Sequence, residues 1–301
     1  MIRVKHINAF TPKPFLGNPA AVVTKADGLT TREMQLIARE MNLSETAFVL
    51  SPTRPGADLR VRWFTPTIEV NFCGHATVAS FHALAEEGRF RILKAGKYSF
   101  RLETRSGLLP VSVQKRSKTK SWIQVQLPRF SFFRYGGPLA GIVEALRARR
   151  TELHARLPVQ IDSRRIVYIP FKSLKSLFEM KPDFERLRRI GEGNHLQGIC
   201  VFTTETVDSG STFHSRFFAP NFGINEDPVT GSSNGPLGAY CFLQGLIVPT
   251  SGKCIVVGEQ GDVLGRRGRV SVEIELGKES IQAVRIAGEA VTVFDAPLRL
   301  A

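Results

Sequence analysis

The chain is poor in cysteine: Cys73, Cys200, Cys241 and Cys254 are the only four in 301 residues, and no two of them form a CxxC pair. A thiol-ligated zinc site and a disulfide framework both lack their usual spacing. Long apolar runs are missing as well, since the longest mostly apolar stretch, Gly235 to Val248, is too short to span a bilayer. Met1 to Ile7 alternates as a strand does and lacks the apolar core of a signal peptide. The expectation is a soluble, cytoplasmic protein with no membrane partner. Acidic side chains are scarce beside basic ones, 27 Asp and Glu against 41 Lys and Arg, for a formal net charge of +14. The imbalance is local, +5 over residues 1–100, +12 over 101–200 and −3 over 201–301. Its clusters, Lys115-Arg116-Ser117-Lys118-Thr119-Lys120 and Arg147-Ala148-Arg149-Arg150, would release counterions from a bound nucleic acid. No RRM, KH or zinc-finger pattern accompanies them. A solvated basic surface is the simpler reading, and nucleic-acid binding stands as the remote alternative.

What is present is an ordinary globular composition, 43% hydrophobic and 23% charged, in a length that suits about two domains. Short alternating runs bounded by turn residues predict strands at 2–8, 20–25, 47–50, 59–64, 98–103, 109–114, 123–127, 165–170, 198–203, 212–218, 254–257, 269–275 and 283–293. Thr30-Thr31-Arg32-Glu33 is a capping box ahead of Met34, Ile37, Ala38 and Met41, which predicts one amphipathic helix of about three turns.

The chain also repeats itself. Arg62-Trp63-Phe64-Thr65-Pro66 returns as Arg216-Phe217-Phe218-Ala219-Pro220, 154 residues later. An apolar segment from Gly74 to Gly88 then returns from Gly231 to Gly245. Both segments are small and apolar on nearly every side, which predicts buried helices. The expected fold is α+β, two pseudo-symmetric lobes, each a curved, barrel-like, mostly antiparallel sheet around a central helix. Residues 1–127 with 285–301 would make one lobe and 128–284 the other. Two helix N-termini, at Gly74 and Gly231, would face each other across the cleft and offer unpaired N–H groups to a small anion, most simply a carboxylate.

Ile224 to Ser233 sets two acids, a Pro, a Gly and three hydroxyls just before a buried helix, more polar groups than one cap requires. The matching stretch in the first half runs from Glu69 to Thr77 and holds Cys73 and His75. At these residues the sequence resembles a known family. Ala9-Phe10-Thr11, Pro14 to Val22, Asn42 to Val49, Phe72-Cys73-Gly74-His75-Ala76-Thr77 and Glu226 to Ser232 are similar, in order, to the signatures of the PhzF (phenazine biosynthesis-like) family, from Ile2 to about Phe294. The resemblance implies the diaminopimelate epimerase-like fold, in agreement with the repeat, and a homodimer. It makes Glu45 the proton-transferring carboxylate, with Asp227 and His75 also catalytic. Ser44, Gly74, Gly231 and Ser232 would bind substrate, and Cys73 and Asn18 are further candidates.

By its neighbours alone Glu45 is unremarked, and Asn42-x-x-Glu45 reads equally as a capping box. Its apolar surroundings would raise its pKa toward neutrality, as a group that takes and returns a proton requires. The related epimerases use two thiols, one on each side of the substrate. Cys73 stands where one would be, but its second-half counterpart is the Asp227 region, with no cysteine near it. The reading is therefore an isomerase that moves a proton between carbons of a small carboxylate-bearing substrate through Glu45. An epimerase or racemase using Cys73 with Asp227 is the alternative. No motif implies a cofactor or a metal.

Overall fold

A computed structural model describes residues 2–277 and 280–299. The first lobe contains β1 (Ile2–Ala9), β2 (Asn18–Val23), β3 (Glu45–Leu50), β4 (Leu59–Phe64), β5 (Glu69–Val70), β6 (Gly96–Thr104), β7 (Gly107–Lys115) and β8 (Ser121–Gln126), with helices α1 (Thr31–Met41) and α2 (Gly74–Glu86). The second contains β9 (Phe132–Arg134), β10 (Gln160–Asp162), β11 (Ile166–Pro170), β12 (Gly198–Thr203), β13 (Phe213–Ala219), β14 (Ile224–Asp227), β15 (Lys253–Gln260) and β16 (Gly268–Leu276), and the long β17 (Ile281–Leu298) is shared by both lobes. The helices of the second lobe are α3 (Leu139–Ala145), α4 (Leu174–Glu179), α5 (Phe184–Gly193) and α6 (Gly231–Leu243).

Strand pairing closes the first lobe into an eight-stranded barrel in the order β1, β2, β3, β4, β6, β7, β8, β17 and back to β1. Closure removes sheet edges, and the barrel is filled by α2, every residue of which from Gly74 to Ala85 is buried. The second lobe repeats the pattern. The parallel pair β2–β3 corresponds to β11–β12, the antiparallel β3–β4 to β12–β13, the parallel β4–β6 to β13–β15 and β6–β7 to β15–β16. Helix α6, with the same 13-residue length as α2, occupies the centre. The lobes join where β8 pairs with the first half of β17, whose second half runs on to pair with β1.

The repeated five-residue motif has a structural role in both halves. Arg62 on β4 grips Glu69 on β5 through two nitrogens (2.8 and 2.7 Å), and Arg216 on β13 grips Glu226 on β14 the same way (2.8 and 2.7 Å). Each guanidinium also lies over the second aromatic ring of its own motif, 5.0 Å from Phe64 and 5.1 Å from Phe218. These clamps fix the strand from which the chain enters each central helix. Both helices end alike, at a left-handed glycine: Gly88 (φ +65°) and Gly245 (φ +70°).

The capping box ahead of α1 forms as the sequence predicts, with Thr30 and Glu33 bonded reciprocally. Asn42 and Glu45, by contrast, form no box: Asn42 ends α1 in the left-handed conformation (φ 49°) and Glu45 opens β3. The four cysteines are free thiols, all buried. No helix among the described residues is long and apolar enough to cross a membrane.

Candidate active site

The N-termini of α2 and α6 meet. A Cβ added to Gly74 would lie 3.6 Å from the Cα of Gly231 and 3.5 Å from the nitrogen of Ser232, and one added to either glycine would strike Ile286 of β17, at 2.7 and 2.6 Å. Only glycine lets the two helices approach this closely. Neither helix start has a side-chain cap, since neither Cys73 before α2 nor Thr230 before α6 makes one. First-turn N–H groups from both lobes therefore converge on one spot, where the helix dipoles add partial positive charge. This spot lies in a cleft of about 630 Å³ lined by both lobes, including Glu45, Cys73, Gly74, His75, Asp227, Thr230, Gly231 and Ser232.

Around it the polar groups form one network. His75, buried in the first turn of α2, places Nε2 3.4 Å from Glu45 Oε2 and 3.4 Å from Ser44 Oγ. Its Nδ1 lies 3.4 Å from Cys73 Sγ and 3.2 Å from Asn18 Nδ2. Asn18, fully buried at the start of β2, donates to Asp227 Oδ1 (2.8 Å) and to the Val229 carbonyl (2.8 Å). Those two acceptors use both of its amide protons. Nδ1 of His75 is then left to accept from the Cys73 thiol, and Nε2 carries the ring proton toward Glu45. Asp227 also accepts from the Thr230 hydroxyl. Gln260 of β15 donates to the Asp227 carbonyl (2.8 Å) and the Thr230 hydroxyl (3.1 Å), so the loop before α6 is held from behind.

Glu45 stands apart in this network. Its Oε2 is buried and, among the described residues, has no hydrogen-bond partner of good geometry. Burial raises the pKa of this carboxyl, and the nearby Asp227 charge pushes the same way. His75, Ser44 and Cys73 pull against them, and the net shift is upward. Cys73 is driven well above the usual thiol range by burial and by the Glu45 charge, so it is held as a thiol. Glu45, Cys73 and His75 bring one donor atom each within 4.8 Å of one another, an O, S and N set of the kind zinc accepts. In the structure both ring nitrogens of His75 already face polar partners.

All nine residues singled out in the sequence fall at this point: Glu45, Asp227, His75, Cys73, Gly74, Gly231 and Ser232 on the cleft, Ser44 and Asn18 bonded into its network. The sequence comparison set the Asp227 region opposite Cys73. The helix starts refine this, because Cys73 and Thr230 are the two N-cap residues. Asp227, which pairs with Phe217, instead matches Val70, which pairs with Trp63. Sequence reasoning missed Thr230 and Gln260, whose part depends on tertiary contact. It also missed Arg129, Arg164 and Arg165 on the cleft wall, which were visible only as part of the basic middle third.

Comparison with known proteins agrees with this architecture. The family model for phenazine biosynthesis-like proteins, PhzC-PhzF, matches residues 7–296. A protein of Clostridium acetobutylicum named as an uncharacterized isomerase is 39% identical over 301 residues, covering 98% of this chain and 97% of its own. The crystal structure of a Bacillus anthracis phenazine biosynthesis protein of the PhzF family is 33% identical, with a TM-score of 0.87 over 99% of each chain. A hydroxyproline epimerase from Agrobacterium vitis, 12% identical, shares the fold, with a TM-score of 0.65 over 98% of this chain and 91% of its own.

Proposed function

The chain belongs to the phenazine biosynthesis-like (PhzC-PhzF) family, and on that premise we propose that it is an isomerase that moves a proton between two carbons of a small carboxylic acid, with Glu45 as the group that carries it. The observation that supports this most is the buried Glu45 oxygen, which among the described residues has no hydrogen bond of good geometry, beside two uncapped helix N-termini. The substrate carboxylate sits on the N–H groups at Gly74, His75, Gly231 and Ser232, and their positive ends stabilise the charge that develops when a neighbouring C–H bond breaks. Glu45 takes that proton, the substrate's double bond shifts, and the same carboxyl returns the proton to a carbon further along. One C–H bond breaks and one forms, so there is no net oxidation. His75, through Nε2, and Asp227, oriented by Asn18, Thr230 and Gln260, hold the substrate's polar groups in register.

The epimerase alternative requires a thiolate. Cys73 is disfavoured for that role by burial and the adjacent Glu45 charge, and its partner position across the cleft is the hydroxyl of Thr230.

The test is a set of unsaturated and amino carboxylic acids incubated in D₂O and followed by NMR. A turned-over acid should yield a positional isomer with deuterium at the receiving carbon. Glu45→Gln should lower the rate by about a hundred to ten-thousand-fold. Because the base must be ionised and its pKa is raised, the acid limb of the wild-type rate should lie above the ordinary carboxylate range. Near-normal turnover in Glu45→Gln would remove Glu45 as the base, and inversion at a single carbon without relocation would favour the epimerase reading.

A further inference from the structure

The two walls of the cleft differ in charge. On the first-lobe side the charged groups are acids: Glu45, and Glu69, which is neutralised by Arg62 and Arg105. On the second-lobe side they are one acid, Asp227, bonded by Asn18 and Thr230, and three guanidiniums, Arg129, Arg164 and Arg165. Among the described residues the only carboxylate paired with any of these three is Asp162.

Arg164 is held in place with care. Its Nε donates to Asp162 Oδ2 (3.1 Å), its Nη2 donates to the same oxygen and to the Tyr168 hydroxyl (3.3 Å), and its plane lies 5.3 Å from the Phe130 ring. Asp162, wholly buried, is fixed in turn by the Arg164 N–H (2.9 Å), the Ile166 N–H (3.1 Å) and the Tyr168 hydroxyl (3.1 Å). The remaining nitrogen, Nη1, has no hydrogen bond among the described residues. Arg165 adopts the left-handed conformation (φ +69°), uncommon for a residue with a side chain, and among the described residues its guanidinium donates only to main-chain carbonyls, of Asn194 (2.6 Å) and His195 (3.5 Å). Arg129 is exposed and, among the described residues, makes no ion pair or hydrogen bond.

Strand register adds a second, independent observation. Ala20 pairs with Glu45 in the first lobe as Ile166 pairs with Gly198 in the second. Asn18 opens β2 two residues before Ala20, and Arg164 lies two residues before Ile166, in the turn that leads into β11. Where the first lobe turns an amide onto the catalytic groups, the second turns a guanidinium onto the cleft.

We propose that Arg129 and Arg164, reinforced by Arg165, form a second anion-binding subsite, and that the substrates of this enzyme are small acids carrying a second anionic group, carboxylate or phosphate, at the end remote from Glu45. The inference rests on the proposed reading of the cleft, with the reacting carboxylate at the helix N-termini. A guanidinium presents paired donors that suit either anion, and charge-assisted hydrogen bonds in a partly enclosed cleft are the strong ones. Phe72, Phe217 and Phe222 line the space between, so a rigid apolar spacer is accommodated.

The test is calorimetric titration with three probes of one shape: isophthalate, its monomethyl ester, and 3-phosphonobenzoate. The wild type should bind at least one of the two diacids about tenfold more tightly than the ester, and the tighter of the two identifies the second group. Arg129→Gln should reduce this ratio with an unchanged melting temperature, Arg129→Lys should largely keep it, and the double variant Arg129→Gln/Arg164→Gln should bring it to about one. A wild-type ratio near one, no measurable binding of either diacid, or a ratio that Arg129→Gln and the double variant leave unchanged would overturn the proposal. Binding needs no turnover, so the ratio should persist in Glu45→Gln. A failure of Glu45 as the base and a failure of the arginine wall are thereby read separately.

Discussion

Glu45 and Gly198 occupy the same position in their two lobes, and the exchange of one for the other shows how a repeated fold becomes a one-sided active site. Each opens a strand that pairs in parallel with the strand before it, and each of these strands is followed by the one that carries the repeated Arg-aromatic-Phe motif and pairs back onto it. At Glu45 the side chain reaches the cleft. At Gly198 even a Cβ would lie 2.2 Å from the Phe217 ring, so that ring takes the space a carboxylate has in the other half. The same register and the matched helix starts set Val70 against Asp227, Cys73 against Thr230 and His75 against Ser232. The scaffold is kept, helix N-terminus for helix N-terminus, while nearly every side chain presented to the cleft differs. A symmetric mechanism needs equivalent groups on both sides of the substrate, and here the two acids come from inequivalent positions.

The comparison can be broken first at its structural repeat. Among the described residues Arg216 and Glu226 have only each other as charge partners, and both are almost fully buried, whereas Glu69 keeps Arg105 when Arg62 is lost. Arg216→Ala strands a buried carboxylate and the Leu177 and Met180 carbonyls that the guanidinium also satisfies, which should cost about 3–5 kcal/mol in denaturant unfolding. Arg62→Ala should cost clearly less. Equal losses would mean that the two clamps are not distinguished by their third partner.

A smaller effect is expected at Gly198, the position that matches the proposed base. Gly198→Ala forces a methyl group into the Phe217 ring, an overpacking that should cost about 1–3 kcal/mol. Its melting temperature, set beside that of Ala47→Gly in the matching strand, would show whether the ring is what excludes a side chain there.

The least effect belongs to the thiol. Cys73→Ser preserves a small polar group beside His75 and should lower turnover by less than about tenfold, well short of what removing a general base costs. Wild-type Cys73 should also react slowly with a thiol reagent at neutral pH, because burial and the Glu45 charge hold it protonated. Loss of all activity in Cys73→Ser would restore the thiol to the chemistry.

The elements that were legible in the sequence are those whose period had room to repeat. All thirteen strands expected from alternation are present, whereas β5, β9, β10 and β14, of two to four residues, are too short to alternate visibly. Helix α3 was hidden because it starts behind Pro138 with no side-chain cap, and α5 because arginine and glutamate crowd the faces around Leu187. At the site, Asp227 and His75 were visible as polar residues where an apolar helix begins. Glu45 was not: its setting depends on β3 being laid beside β2, and only likeness to a family marked it. The basic middle third was read as one solvated surface, yet it serves several purposes. Lys115 is buried and donates to the Ala85 carbonyl in the last turn of α2 and to the Ile92 carbonyl in the segment that follows it. Arg186, Arg188 and Arg189 pair with glutamates in the open. Arg129, Arg164 and Arg165 face the cleft. Charge counted along a sequence does not reveal such a division, because it is made by the fold.

The central claim, one carboxyl working from one lobe, is tested most directly with a turned-over substrate deuterated at the carbon that loses the proton, converted in ordinary water under single-turnover conditions. A single base that takes and returns the same proton should deliver a measurable fraction of the substrate's own deuterium to the receiving carbon, the remainder having exchanged with solvent. A product whose new C–H bond carries solvent hydrogen only, at every extent of conversion and in rapidly quenched samples, would mean that a second group from the other lobe donates the proton, and would contradict the account.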